Sequence, residues 1–198
     1  ARKEHLVELH QFTSDAFDAS ALQIEKEKVT YQGRKYKKII FCDGVRGFSL
    51  PWFKNFPFAA CKGEALWLQI SELPSSYLFK KSITLVPWKN DIFWAGSSYE
   101  WSFEDPGPTA LFKERCIGLL KNWLKYPFRV VDHKAAVRPA TLERRPIVGF
   151  HPQHPTIGLL NGMGTKGCSL APYFARSLTE NLQHGTPLHP EADITRFS

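Results

Sequence analysis

Long apolar runs are missing from this sequence. No stretch approaches the ~18–20 consecutive apolar residues that a membrane-spanning helix needs. Metal-ligand spacing is missing too. The four cysteines, Cys42, Cys61, Cys116 and Cys168, lie far apart, with no CxxC pair and no histidine at ligand distance. Each falls in an apolar segment, where a free thiol behaves as a small hydrophobe. The expectation is four reduced thiols in a cytoplasmic protein, with no bound metal. No signal peptide, internal repeat or low-complexity tract is found. Dense charge is scarce as well. The formal net charge is +7 and the pI about 9.3, which suits an anionic partner. Yet the only packed run is Arg34, Lys35, Lys37 and Lys38, and it leads straight into apolar residues. A nucleic-acid surface needs clustered cations with exposed aromatics. Here the aromatics lie inside apolar segments, so neither nucleic acid nor a membrane span is expected.

What the chain does have is enough apolar material to fold. Of 198 residues, 43% are hydrophobic and 14% aromatic, which suffices for one domain or for one and a half intertwined ones. Residues 1–20 carry no clear pattern. From Ala21, "ALQIEKEKVTYQGRKYKKIIFCDG" reads as short strands broken at Gln32-Gly33. A strand is expected at 38–42, where Ile39, Ile40, Phe41 and Cys42 are apolar on consecutive positions, as in a strand buried on both faces. Further strands are expected at 64–70, 83–87 and 91–97, the last two joined by a turn at Lys89-Asn90-Asp91. The spacing of Phe112, Cys116, Leu119, Leu120, Trp123 and Leu124 predicts a helix over 109–126, with Thr109 as N-cap and Pro127 as its limit. Strands follow at 129–137, 147–150 and 156–160, then a helix over 169–182. The polar tail after Gly185 is expected to lie extended on the surface.

The segment richest in chemistry is "TIGLLNGMGTKGCSLAPYFARSLTENL". A strand runs into Gly162, Gly164, Thr165, Lys166 and Gly167, which open an amphipathic helix. Formally this is G-x-G-x-x-G between strand and helix: glycines permit close backbone approach, and the helix N-terminus offers N–H groups to an anion. A dinucleotide fingerprint also needs a second strand ending in an acidic residue about 20 positions on. Glu191 and Asp193 lie at that distance, but no strand precedes them. The loop is therefore a helix-terminus anion site of another kind, or a glycine-rich turn that packs a helix on a sheet.

The order "AAVRPATLERRPIVGF", short turn, "TIGLLNGMGTKGCSLAPYFARSLTENL" resembles the C-terminal signature of the D-amino-acid oxidase and glycine oxidase family. Upstream, "KKIIFCDG", "FPFAACKGEALWLQI" and "SITLVPWKNDIFWAGSSYEW" also resemble family segments, so the likeness covers about residues 21–185 in order. It implies a mixed α/β fold: an FAD/NAD(P)-binding-type remnant from 1–45 and 145–198, and a substrate domain with an antiparallel sheet and one helix from 46–144. It implies a flavin oxidoreductase acting on the CH–NH bond of an amino acid or amine, with non-covalent FAD. By this likeness Arg138 would bind the substrate carboxylate. Gly44, Gly162, Gly164, Thr165, Lys166 and Gly167 would contact the cofactor, with Val45 near it. Glu64, Tyr99, Trp101 and His133 are polar or aromatic candidates near the substrate.

Two departures stand out. Glu143-Arg144-Arg145 replaces the Asp-Gly that many members carry before the proline, and no cysteine adjoins Arg138 in sequence. The family's opening G-x-G-x-x-G has no counterpart before Gly162, and the chain begins at Ala1. An incomplete chain is therefore expected, truncated, naturally split or excised, that binds FAD poorly without a missing N-terminal segment or subunit. A non-catalytic relative and a flavin dehydrogenase of another small carboxylate stay open as alternatives.

Overall fold

The computed structural model describes residues 14–197. Residues 1–13 of the expected first domain piece, and residue 198, lie outside the described residues. The architecture is mixed α/β with three sheets. A small antiparallel meander opens it: β1 (Leu22–Ile24), β2 (Val29–Tyr31) and β3 (Arg34–Tyr36). Gln32 and Gly33 form the β2–β3 turn with φ of 47° and 75°. Two positive φ values in a two-residue loop suit the right-handed twist of a hairpin.

β4 (Ile39–Phe41) then pairs in parallel with a strand more than 110 residues further on in the chain, β11 (His154–Asn161), placing Ile39 opposite Ile157 and Phe41 opposite Leu159. β11 also forms a hairpin with β10 (Ile147–His151), so the sheet order is β10-β11-β4. One core joins this sheet to the meander through Leu22, Val29, Phe41, Phe53, Ile147, Ile157 and Leu159. On its other side, helix α2 (Gly167–His184) packs Phe174 and Leu178 against Val148.

The largest sheet has the order β6-β7-β8-β5-β9 and is antiparallel throughout. Its strands are β5 (Phe58–Gln69), β6 (Phe79–Lys80), β7 (Thr84–Lys89), β8 (Ile92–Gly96) and β9 (Arg129–Thr141). β5 and β9 pair along almost their whole lengths, with Cys61 opposite Arg138. Strand alternation divides β5. Leu66 and Leu68 face a core shared with Leu85, Phe93 and helix α1 (Ala110–Lys121), which contributes Cys116 and Leu120. Cys61, Gly63 and Ala65 face the other way. Thr109 caps α1 as expected, its Oγ1 accepting from Phe112 N at 3.3 Å.

Several expectations are corrected. β4 is an edge strand among the described residues and is not buried on both faces, since Ile40 is 37% exposed. Helix α1 ends at Lys121, well before Pro127, so Trp123 and Leu124 pack on the core from the loop after it. Helix α2 starts two residues earlier and ends two later than its periodicity implied, and Tyr173 and Leu182 are exposed. Cys42 and Cys168 are exposed, so only Cys61 and Cys116 behave as core hydrophobes. The C-terminal tail is not a surface strand. Leu188, Ala192 and Ile194 are buried, and Val148 N donates to Ala192 O at 2.8 Å. The tail straps the outer strand of the β10-β11-β4 sheet.

Candidate functional site

Arg138 sits on β9 next to Cys61 of β5, and the register sends its side chain across the neighbouring Gly63. A β-carbon at Gly63 would overlap the Arg138 guanidinium. That guanidinium is held on several sides. Nη2 donates to Ser97 Oγ at 2.7 Å, and Nη1 donates to Ser98 O at 3.1 Å and to Cys61 Sγ at 3.8 Å. Its carbon lies 4.7 Å from the centre of the Tyr99 ring, a cation–π contact. Among the described residues it pairs with no carboxylate. A half-buried arginine held by neutral groups keeps its charge available for a ligand.

The glycine loop faces it. Gly162, Met163, Gly164, Thr165 and Lys166 line the same cleft as Arg138, together with Cys61, Tyr99, Trp101, Ala140 and Arg144, around a volume of about 420 Å³. Three of these side chains are cationic and none is acidic, so the cleft suits an anion. The loop bends because Gly162 and Gly164 take φ of 78° and 53°, where a side chain is strained. At Gly162 the fold itself demands glycine, since a β-carbon would come within 2.8 Å of Thr141 Cγ2. Helix α2 begins directly after the loop with no side-chain cap, leaving its first N–H groups to other partners. Lys166 is exposed and reaches the cleft without an ion pair among the described residues.

Gly167 differs from its neighbours. Its φ is an ordinary helical −53°, and nothing lies within 4 Å of the position a β-carbon would take. The chain's own packing gives no reason for glycine there. The uncapped helix terminus and the cationic lining fit an anionic cofactor such as reduced flavin.

Gly44, with φ 62°, follows β4 and does not line the cleft, nor does Gly167 or Val45. Gly44 is tied to the loop indirectly: buried Asn161 donates from Nδ2 to Gly44 O at 2.8 Å and accepts from Gly162 N on Oδ1 at 2.8 Å. Tyr99 and Trp101 line the cleft, as anticipated. Glu64 and His133 do not. Glu64 points to the helix face of β5, where it accepts from Thr109 N at 2.7 Å and Thr109 Oγ1 at 2.8 Å, with Lys62 Nζ at 3.2 Å and His133 Nε2 at 2.9 Å. Burial pushes its carboxyl pKa up, but the Thr109 and Lys62 contacts outweigh that and hold it below the usual value. The pair is a structural anchor for the start of α1. Residues to which the sequence gave no role in the site are Cys61, Gly63, Ser97, Ser98 and Arg144. The expected strand starts at 64, whereas β5 begins at Phe58; only with that earlier start does Gly63 stand as an isolated strand glycine, which marks close approach by another group.

Comparisons with known proteins show the family and the fold. A family model described as FAD dependent oxidoreductase matches residues 15–181. Among solved structures, iminodiacetate oxidase from Chelativorans sp. BNC1 superposes with TM-score 0.70 at 19% identity, covering 87% of this chain and 51% of that one. L-proline dehydrogenase from P. horikoshii gives 0.68 at 19% identity, covering 89% and 52%. Glycine oxidase from Geobacillus kaustophilus gives 0.64 at 18% identity, covering 83% and 48%. At such identities the likeness is one of fold. The chain spans about half the length of these structures.

Proposed function

Since the chain belongs to the family of FAD-dependent oxidoreductases, we propose that it forms the substrate-facing part of an enzyme that oxidises the CH–NH bond of an amino acid or amine. The observation that carries this reading is the single cleft shared by Arg138 and the glycine loop. When bound, non-covalent FAD would accept a hydride from the substrate carbon, a chemistry that belongs to the cofactor.

The chain's own residues would do the rest. Arg138 holds the carboxylate and so fixes the direction of the neighbouring carbon–hydrogen bond. Gly162, Gly164 and Thr165 bring backbone close to the ring. Lys166 and the start of α2 stabilise negative charge developing on it. Gly167 leaves room for the ring to pass, and Gly44 acts through Asn161 by holding the loop in place. The same reading divides the chain into cofactor-side pieces, 1–45 and 145–198, and a substrate-side piece, 46–144. The parallel pairing of β4 with β11 supports that division.

The test is made on the full-length protein. A visible flavin spectrum, bleached without oxygen by amino acids or amines, is the expected result. Arg138→Ala should raise KM for amino acids by about 30- to 1000-fold, from the ~2–4 kcal/mol lost with a charged contact, and leave the flavin bound. A colourless full-length protein, or amino-acid turnover untouched by Arg138→Ala, overturns the proposal.

A further inference from the structure

The Arg138 guanidinium carries five N–H bonds, and the contacts around it divide them unequally. Both Nη1 hydrogens are used, one by Ser98 O at 3.1 Å and one by Cys61 Sγ at 3.8 Å. One Nη2 hydrogen goes to Ser97 Oγ at 2.7 Å. Ser97 and Ser98 are consecutive residues that hold one terminal nitrogen each, and we place both at the end of the fork, where Nη1 and Nη2 point side by side. Nε has no hydrogen-bond partner among the described residues. The two hydrogens left over, on Nε and on the outer side of Nη2, lie parallel along one edge. That edge matches the two oxygens of a carboxylate. The flat of the group is packed as well, lying across Gly63 and against the Tyr99 ring.

We propose that Gly63 and Ser97 are positioning residues that preset Arg138, so that it presents only its Nε/Nη2 edge and receives a carboxylate side-on. The inference rests on the carboxylate-binding role given to Arg138 above and adds the geometry of that role. Gly63 acts by having no side chain. Its φ is not in the left-handed region, and the nearest atoms to its absent β-carbon all belong to the Arg138 guanidinium. Backbone conformation does not call for glycine there; room for Arg138 does. Ser97 acts by anchoring Nη2, which removes the alternative of binding an anion end-on. A pre-ordered arginine loses less rotamer freedom on binding than a free one, so the arrangement sharpens affinity as well as direction.

The experiment uses full-length, FAD-loaded protein and acetate as the minimal carboxylate, with acetamide as its neutral counterpart, titrated by calorimetry. Acetate should bind and acetamide should not, and Arg138→Ala should abolish acetate binding. Ser97→Ala should weaken acetate about tenfold, as loss of one hydrogen bond to a charged group does, and Ser97→Thr, which keeps the hydroxyl, should restore it. Gly63→Ala should weaken acetate strongly in the native background. In an Arg138→Ala background it should leave melting temperature and flavin spectrum unchanged, because the group it collides with is gone. A merely structural glycine would be equally damaging in both backgrounds. Acetate binding that is absent, or indifferent to Arg138→Ala, overturns the carboxylate role itself. Binding that depends on Arg138 but stays within twofold in both Ser97→Ala and Gly63→Ala overturns the positioning inference and leaves that role standing.

Discussion

Removing the Glu64 carboxylate should be among the most damaging single changes in the chain, although it touches no part of the cleft. Glu64 is fully buried, and so is Lys62, whose Nζ lies 3.2 Å from it. Glu64→Ala leaves the N–H and hydroxyl of Thr109 without their acceptor, worth about 1 kcal/mol. It also leaves the Lys62 ammonium with only half-exposed Glu100 at 3.5 Å and Asp105 O at 3.1 Å. Breaking a buried pair by deleting one partner costs about 3–5 kcal/mol; the remaining Glu100 contact puts this case near the lower end. The expected loss is therefore about 4 kcal/mol, a large share of the ~5–15 kcal/mol typical of a domain. Lys62→Met combined with Glu64→Leu should cost much less than the two single changes added together, because no orphaned charge remains. Urea denaturation of the full-length protein, Glu64→Ala, Lys62→Met, Glu64→Leu and the double variant measures this. A loss under about 1 kcal/mol for Glu64→Ala, or simple additivity in the double variant, would refute the idea that the pair's value lies in mutual neutralisation.

Two glycines of one loop should behave oppositely. Gly162→Ala should cost about 2–4 kcal/mol with or without flavin, from left-handed strain plus contact with Thr141. Gly167→Ala should leave the melting temperature of the cofactor-free protein unchanged yet weaken FAD, as read by fluorescence titration. His151 supplies a pH dependence. Burial, then the nearby His154, lower its pKa, outweighing a backbone hydrogen bond with Trp52. The unfolded chain therefore takes up its proton first, so the stability contributed by neutral His151 is complete above about pH 6.5 and lost as pH falls below it. Urea midpoints should drop between pH 7 and pH 5, and His151→Gln should flatten that drop.

Both helices and most strands were legible in the sequence because each carries a local period or a local stop signal; β6 and residues 58–63 of β5 were not expected. Thr109 as a cap and Gln32-Gly33 as a turn are chemical statements that need no distant partner. β4 misled because consecutive apolar residues look the same whether or not a neighbour covers the second face, and Ile40 has none here among the described residues. The tail misled for the opposite reason: Leu188, Ala192 and Ile194 are isolated apolar residues with no period, and only the groove beside β10 gives them a destination. In the cleft, Arg138 and the glycine loop could be singled out through a family likeness. Ser97, Ser98 and Cys61 could not, because their value comes entirely from the register that sets Cys61 opposite Arg138.

Asn161 gives the glycine loop a history as well as a shape. Its one amide joins Gly162 to Gly44, residues from opposite ends of the described chain, and β11 must already lie beside β4 for both bonds to form. The loop therefore cannot settle as a local turn while the polypeptide is still being made. It must wait for a closure spanning more than a hundred residues, a step whose entropic cost falls before any contact repays it. Until then the future binding surface remains unformed, however complete its glycines. Asn161→Asp, which keeps the acceptor for Gly162 N and loses the donor to Gly44 O, should slow refolding measured by stopped-flow fluorescence, and an unchanged rate would show that the closure does not depend on this amide.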